Sequence, residues 1–175
     1  WRCAKSKTPK RYPGVGLVAR PGSDEAVAAS RRLAIWRGNG GLEVRAHESW
    51  ASGGRLPGVD RRRMLREADL VVVLGGDGSL LGTARLSGPS AAAVVGINHG
   101  NLGFLAGSDS GSLYRTMERV LSGQCSPDPR SMLSVRVRRG GRIVLRSQAL
   151  HDAVITRGTP SRLPELEADV DGDYP

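Results

Sequence analysis

Leu70-Val-Val-Val-Leu74 is an unbroken run of branched apolar residues, followed at once by Gly75-Gly-Asp-Gly78 and then Ser79-Leu-Leu81. A run this short and this continuous reads as a strand buried on both faces, the kind found inside a parallel sheet covered by helices. The glycines turn the chain, and Ser79–Leu86 reads as the helix that follows. Val15–Ala19 and Ala92–Ile97 read as further buried strands, and Leu42–Ala46 as another candidate. Between them lie helical patterns. One runs from about Asp24 to Arg37, behind a Ser23 cap, with Ala26, Ala29, Leu33 and Trp36 at helical spacing. Others fall at Asp60–Glu67 and Gly111–Leu121. Strand and helix alternate, as an α/β fold requires.

After Pro127 and Pro129 the pattern changes. Met132–Arg138 alternates, with Leu133, Val135 and Val137 on one side, and Gly140-Gly141 is a hairpin signal. Ile143–Ile155 reads as one or two strands and Leu166–Val170 as another. The expected architecture is therefore α/β. A Rossmann-like parallel-sheet domain is followed by part of an antiparallel, β-sandwich-like domain. Residues 1–13 read as a basic leader, 14–122 as the α/β nucleotide-binding domain, 123–129 as a linker and 130–175 as an incomplete antiparallel unit. That last unit is too small to stand alone, and with a start at Trp1 it marks the chain as a fragment.

Composition narrows the function. The chain has 175 residues and a net charge of +9. Its basic residues are mostly scattered arginines, the lysines all lie in Lys5–Lys10, and aromatics make up 4% of residues. Nucleic-acid binding is disfavoured, because bases lack stacking platforms; attraction of an anionic substrate such as a nucleotide fits better. No apolar run is long enough to span a membrane, and the N-terminus has no signal-peptide core. Cys3 and Cys125 have no metal or redox spacing and read as free thiols in a cytoplasmic protein. His47-Glu48 lacks the second histidine of a zinc-protease helix.

The chemistry concentrates in two loops. In open parallel sheets ligands bind at the carboxyl ends of strands. There Gly75, Gly76 and Gly78 would let backbone N–H groups approach phosphate, and Ser79 would open a helix whose N-terminus favours an anion. A carboxylate in that turn repels phosphate, so Asp77 needs another reason to be there. It suits accepting a proton from a hydroxyl, or holding a divalent cation. Backbone for the phosphates and a carboxylate for the acceptor together point to phosphoryl transfer. The plainer alternative is an Asp-Gly turn whose Asp77 bonds its own backbone.

The second loop, Gly96-Ile-Asn-His-Gly-Asn-Leu-Gly-Phe-Leu105, follows the next buried strand and should lie beside the first. Asn98 can donate and accept, Gly100 permits close approach, and Phe104 could cover a base. Leu102 and Leu105 read as core, and His99 as either a ligand contact or a surface residue. A dinucleotide fingerprint over Gly76, Gly78 and Gly82 fails, because the next strand ends at Asn98 rather than at an acid. Gly14-Val-Gly16 lies inside the first strand, and no Gly-Lys-Ser/Thr phosphate loop occurs.

Gly75-Gly-Asp-Gly78 followed by Asn98-His-Gly-Asn-Leu-Gly-Phe-Leu105 resembles the NAD kinase family. Arg130-Ser-Met-Leu133 and Ala149-Leu-His-Asp-Ala-Val-Ile155 are similar to it too. Gly-Gly-Asp-Gly alone is shared with phosphofructokinases and with lipid kinases, and the Asn98–Leu105 stretch separates them. The resemblance implies transfer of the γ-phosphoryl group of ATP, or polyphosphate, to the 2′-hydroxyl of NAD's adenosine ribose, with a divalent metal, Mg²⁺, and a homo-oligomer. It implies Asp77 as proton acceptor, Gly78 in contact with the nucleotide, and Asn98 and Phe104 along the adenosine. The family's Asn-acid pair falls on His151-Asp152, where it contacts NAD, and a later basic residue falls on Arg162. Two departures stand out. His151 replaces the family's Asn and loses its amide geometry. The family's later Gly-Asp-Gly and Thr-Pro-Thr-Gly-Ser-Thr-Ala-Tyr segments are missing, which implies a truncated chain. A non-catalytic nucleotide-binding module and a lipid or sugar kinase are the competing readings.

Overall fold

The computed structural model describes residues 12–38, 43–47, 58–87, 92–99, 105, 108–125, 127–156 and 166–172. Elements follow in the order β1 (Gly14–Ala19), α1 (Asp24–Gly38), β2 (Glu43–His47), β3 (Gly58–Val59), α2 (Arg61–Glu67), β4 (Leu70–Leu74), α3 (Asp77–Ser87), β5 (Ala93–Asn98), β6 (Ser108–Asp109), a 3₁₀ turn at Ser110–Ser112, α4 (Leu113–Leu121), β7 (Leu133–Arg139) and β8 (Arg142–Ala149). The first six strands form one sheet in the order β3-β2-β1-β4-β5-β6. Every pairing in it is parallel. This is the doubly wound Rossmann order, with its switch point between β1 and β4.

The apolar run at 70–74 explains the layers. All of β4 is buried, and its residues alternate between two cores. Leu70, Val72 and Leu74 join Leu17, Val95 and Ile97 under Ala26, Ala29 and Leu33 of α1 and Met117 and Val120 of α4. Val71 and Val73 join Val18 under Met64 and Leu65 of α2, with Leu80 and Leu86 of α3 packed at the margin. Side chains on a strand point alternately to opposite faces, so a run with no polar member needs cover on both sides. Gly16 lets α2 come close: a Cβ there would sit 2.4 Å from Met64 Cγ.

Local signals set the element ends. Ser23 Oγ accepts the N–H of Ala26 at 3.2 Å, the cap expected of it. Asp60 caps α2, its Oδ1 accepting from the N–H groups of Arg62 and Arg63 at 2.9 and 3.1 Å. Glu67, at the other end, pairs with Arg63 and Arg45 and so ties α2 to β2. Hydrogen bonding to Arg63 leads the causes that hold its carboxyl below the ordinary value.

The second sheet is the hairpin β7-β8, antiparallel, with Leu133 opposite Ala149 and Val135 opposite Ser147. Gly140 and Gly141 have φ of +54° and +75°, which the tight turn requires. Several expectations need correcting. The helix after the glycine turn begins at Asp77, not Ser79. The Gly76 carbonyl accepts from Ser79 N–H at 3.0 Å and Leu80 N–H at 3.3 Å, so the first turn already closes on the glycine. The strand expected to reach Ile155 stops at Ala149, where Leu150 and His151 bend away. Leu166–Val170 forms no strand, only an isolated bridge at Val170. The two-residue strands β3 and β6 carried no periodicity that could announce them.

Candidate functional site

At the carboxyl edge of the sheet, Arg20 N–H donates to the Leu74 carbonyl at 2.8 Å and Gly75 N–H donates to the Ile97 carbonyl at 2.9 Å. These bonds carry the ladder one residue past β4 and fix where the glycine turn starts. Gly75 is buried, and a Cβ on it would meet Ser79 Oγ at 2.6 Å and Arg20 Cβ at 3.0 Å. Packing alone therefore demands a glycine here. Gly76 and Gly78 differ, since nothing lies within 4 Å of a Cβ built on either and neither has a positive φ. What their missing side chains leave is open space over the helix start, where a phosphate is favoured by exposed N–H groups and the helix dipole.

Asp77 is the first residue of α3 and is half-buried. Its Oδ1 accepts the N–H of Leu105 at 3.1 Å, across 28 positions of sequence. The bond joins the two loops that carry the motifs and fixes the carboxylate's direction. Ser79, expected to open the helix, lies in its first turn with its side chain against Gly75. Asn98 ends β5 and is 4% exposed. Gly100, Phe104 and Arg162 lie outside the described residues.

Gly78 opens into a cavity of about 470 Å³ between α3 and the hairpin, lined also by Leu81, Gly82, Arg85, His151 and Asp152. His151 Nδ1 and Asp152 Oδ2 are 3.6 Å apart and both side chains are 65% exposed. The fold thus brings the helix that starts with Asp77 up to the His151-Asp152 pair, 73 positions after Gly78 at its nearer member. Of the two readings of His99, ligand contact or surface residue, the surface one is overturned by its burial. It is 6% exposed, and its nearest charged group is Glu25 of α1, with Oε1 3.6 Å from Nδ1. Its polar character in the sequence hid this burial. The arginines of α2, α3 and the hairpin that gather in a neighbouring cavity were likewise invisible, because they come from separate elements.

A doubly wound parallel sheet with a glycine turn, a helix-opening carboxylate and a cleft at the switch-point edge defines an α/β nucleotide-handling domain. Residues 15–125 match the model of the ATP-NAD kinase N-terminal domain. The chain belongs to the NAD kinase family. It is 38% identical over 161 residues to the NAD kinase of Heliobacterium modesticaldum, covering 90% of this chain and 56% of that protein. With the NAD kinase of Nitrosomonas europaea it shares 32% over 166 residues, 93% of this chain and 56% of that protein. The crystal structure of yeast NADH kinase complexed with NADH superposes with a TM-score of 0.70 at 18% identity, over 82% of this chain and 48% of that one. That likeness is one of fold. The chain spans about half the length of the curated relatives it matches.

Proposed function

We propose that the protein transfers the γ-phosphoryl group of ATP to the 2′-hydroxyl of NAD's adenosine ribose, giving NADP. The observation that carries this reading is the Asp77 carboxylate, held by the Leu105 N–H, at the start of a helix whose next residue, Gly78, opens into the cavity shared with His151 and Asp152. In the step we assign, Asp77 takes the proton of the 2′-hydroxyl, the ribose oxygen forms a bond to the γ-phosphorus, and the bond from that phosphorus to the β–γ bridging oxygen breaks, releasing ADP. Gly75 shapes the turn, Gly76 and Gly78 give phosphate or ribose room, and the N-terminal turn of α3, with Ser79, supplies positive potential. Asn98, Gly100 and Phe104 are assigned to the adenosine side, and His151, Asp152 and Arg162 to NAD.

Among the described residues no group of three or more His, Cys, Asp or Glu could hold a metal ion. With no such cluster among the described residues, Mg²⁺ is assigned to the donor as its phosphate complex. A homo-oligomer and a cytoplasmic setting belong to the same reading. Among the described residues, no helix is long and apolar enough to cross a membrane.

The test incubates the chain with NAD, ATP and Mg²⁺ and measures NADP against an Asp77→Asn variant. The expected outcome is NADP from the parent and a drop of about 10²–10⁴-fold in the variant. A folded parent that binds NAD or ATP and makes no NADP would leave a non-catalytic binding module. Phosphorylation of a lipid or sugar in preference to NAD would move the reaction to a different acceptor; family membership disfavours that outcome.

A further inference from the structure

His99 follows Asn98, the last residue of β5, and its side chain is 3% exposed. Both ring nitrogens are closed off from solvent, and neither has a hydrogen-bond partner among the described residues. Buried polar atoms are almost always satisfied, so an unsatisfied pair calls for a cause. The nearest charge is Glu25, in the first turn of α1, whose Oε1 lies 3.6 Å from Nδ1, just beyond hydrogen-bond length. Glu25 is 75% exposed and has no other ion-pair or hydrogen-bond partner among the described residues. One rotation of so free a side chain closes the gap.

The placement gives this contact a consequence. Six positions after His99, the Leu105 N–H donates to Asp77 Oδ1 at 3.1 Å. The stretch of sequence that carries Gly100 and Phe104 thus begins at a histidine facing α1 and ends at the carboxylate that opens α3. We infer that His99 is a positioning residue: its Nδ1–H donates to the Glu25 carboxylate, and this bond fixes the end of β5 and, through it, where Leu105 meets Asp77. A hydrogen bond to a charged group is stronger than one between neutral groups, so this single contact can hold a loop start against α1. With both nitrogens closed off from solvent, His99 acts through Asn98 and Leu105 rather than on the nucleotide itself. This role deepens the phosphoryl-transfer reading and rests on it for one consequence, nucleotide affinity. A histidine that only filled the core would be replaced by leucine without loss, since an apolar side chain of similar size removes two unsatisfied atoms.

Amide hydrogen exchange of the whole free chain, read by NMR at Leu105, and titration with NAD test this. His99→Leu and Glu25→Ala should each speed exchange at Leu105 by about tenfold and weaken NAD binding by about as much, while exchange in β4 stays as in the parent. The double variant should lose no more than either single one, because both remove the same bond. His99→Asn keeps an N–H donor near the place of Nδ1 and should stay within about twofold of the parent. Charge alone gives the opposite sign, since losing an acid beside an anionic ligand strengthens binding. Asp24→Ala, the neighbouring acid of the same turn, removes that charge without the pair and should leave exchange at Leu105 unchanged. Unchanged exchange at Leu105 in both His99→Leu and Glu25→Ala would overturn the proposal. So would equal losses in His99→Asn and His99→Leu, because the bulk of the ring and not its donor would then matter. A parent that does not bind NAD would overturn the phosphoryl-transfer reading by itself, and exchange at Leu105 in the free chain would still decide the role of His99.

Discussion

Gly75 and Gly78 sit three positions apart in one turn and are glycines for different reasons. The first is held by packing: Ser79 and Arg20 leave no room for a methyl group. The second faces open space beside the cavity. Gly75→Ala should therefore destabilise the fold by about 1–3 kcal/mol, the usual cost of overpacking. Gly78→Ala should leave the melting temperature nearly unchanged while hindering nucleotide binding. Thermal unfolding of the two variants, with NAD titrations, checks this contrast. Both glycines were legible as important from their place after a buried strand. Their different reasons were not, because the Arg20 contact comes from the residue just after β1, 55 positions before Gly75. Asp77 stands out in the sequence as the one charged residue of the turn, while its Leu105 partner depends on the parallel pairing of β4 with β5.

Elements with a local cap were the most legible. The Asp60 carboxylate accepts from two backbone N–H groups of α2, a helix of 7 residues that buries only Met64 and Leu65. So short a helix depends on its cap and its tertiary contacts more than on its own propensity. Asp60→Ala should cost about 1 kcal/mol, and Asp60→Ser should restore most of it, read by denaturant midpoints at constant m-value. The hairpin, by contrast, was half legible. Its alternation and its Gly140-Gly141 turn were visible, and the Leu133–Ala149 register follows from them. That Arg136 faces Arg146 follows only from the register, which carries a shift between Val137 and Arg138.

Across the whole molecule, burial is uneven. In β4 every residue is buried, whereas in the hairpin Leu133, Val137, Val144 and Leu145 are exposed to between 40% and 57%. Native-state hydrogen exchange should therefore be slowest in β1, β4 and β5 and fast in β7 and β8, since protection follows burial and local contact. Equal protection of the hairpin and the parallel sheet would contradict this picture of two unequal units.

The sequence by itself determined the alternation of strands and helices, the buried character of β4, the glycine turn with its carboxylate and the presence of a hairpin. All of these are written in local periods and turn chemistry, which act over a few residues. Only the tertiary structure decided the strand order, the burial of His99 against α1, the meeting of Gly78 with His151 and Asp152, and the gathering of Arg62, Arg85, Arg136 and Arg146 around one cavity. Those features join residues far apart in the chain. Their positions follow from which apolar faces pack together, and no local pattern of residues encodes that choice.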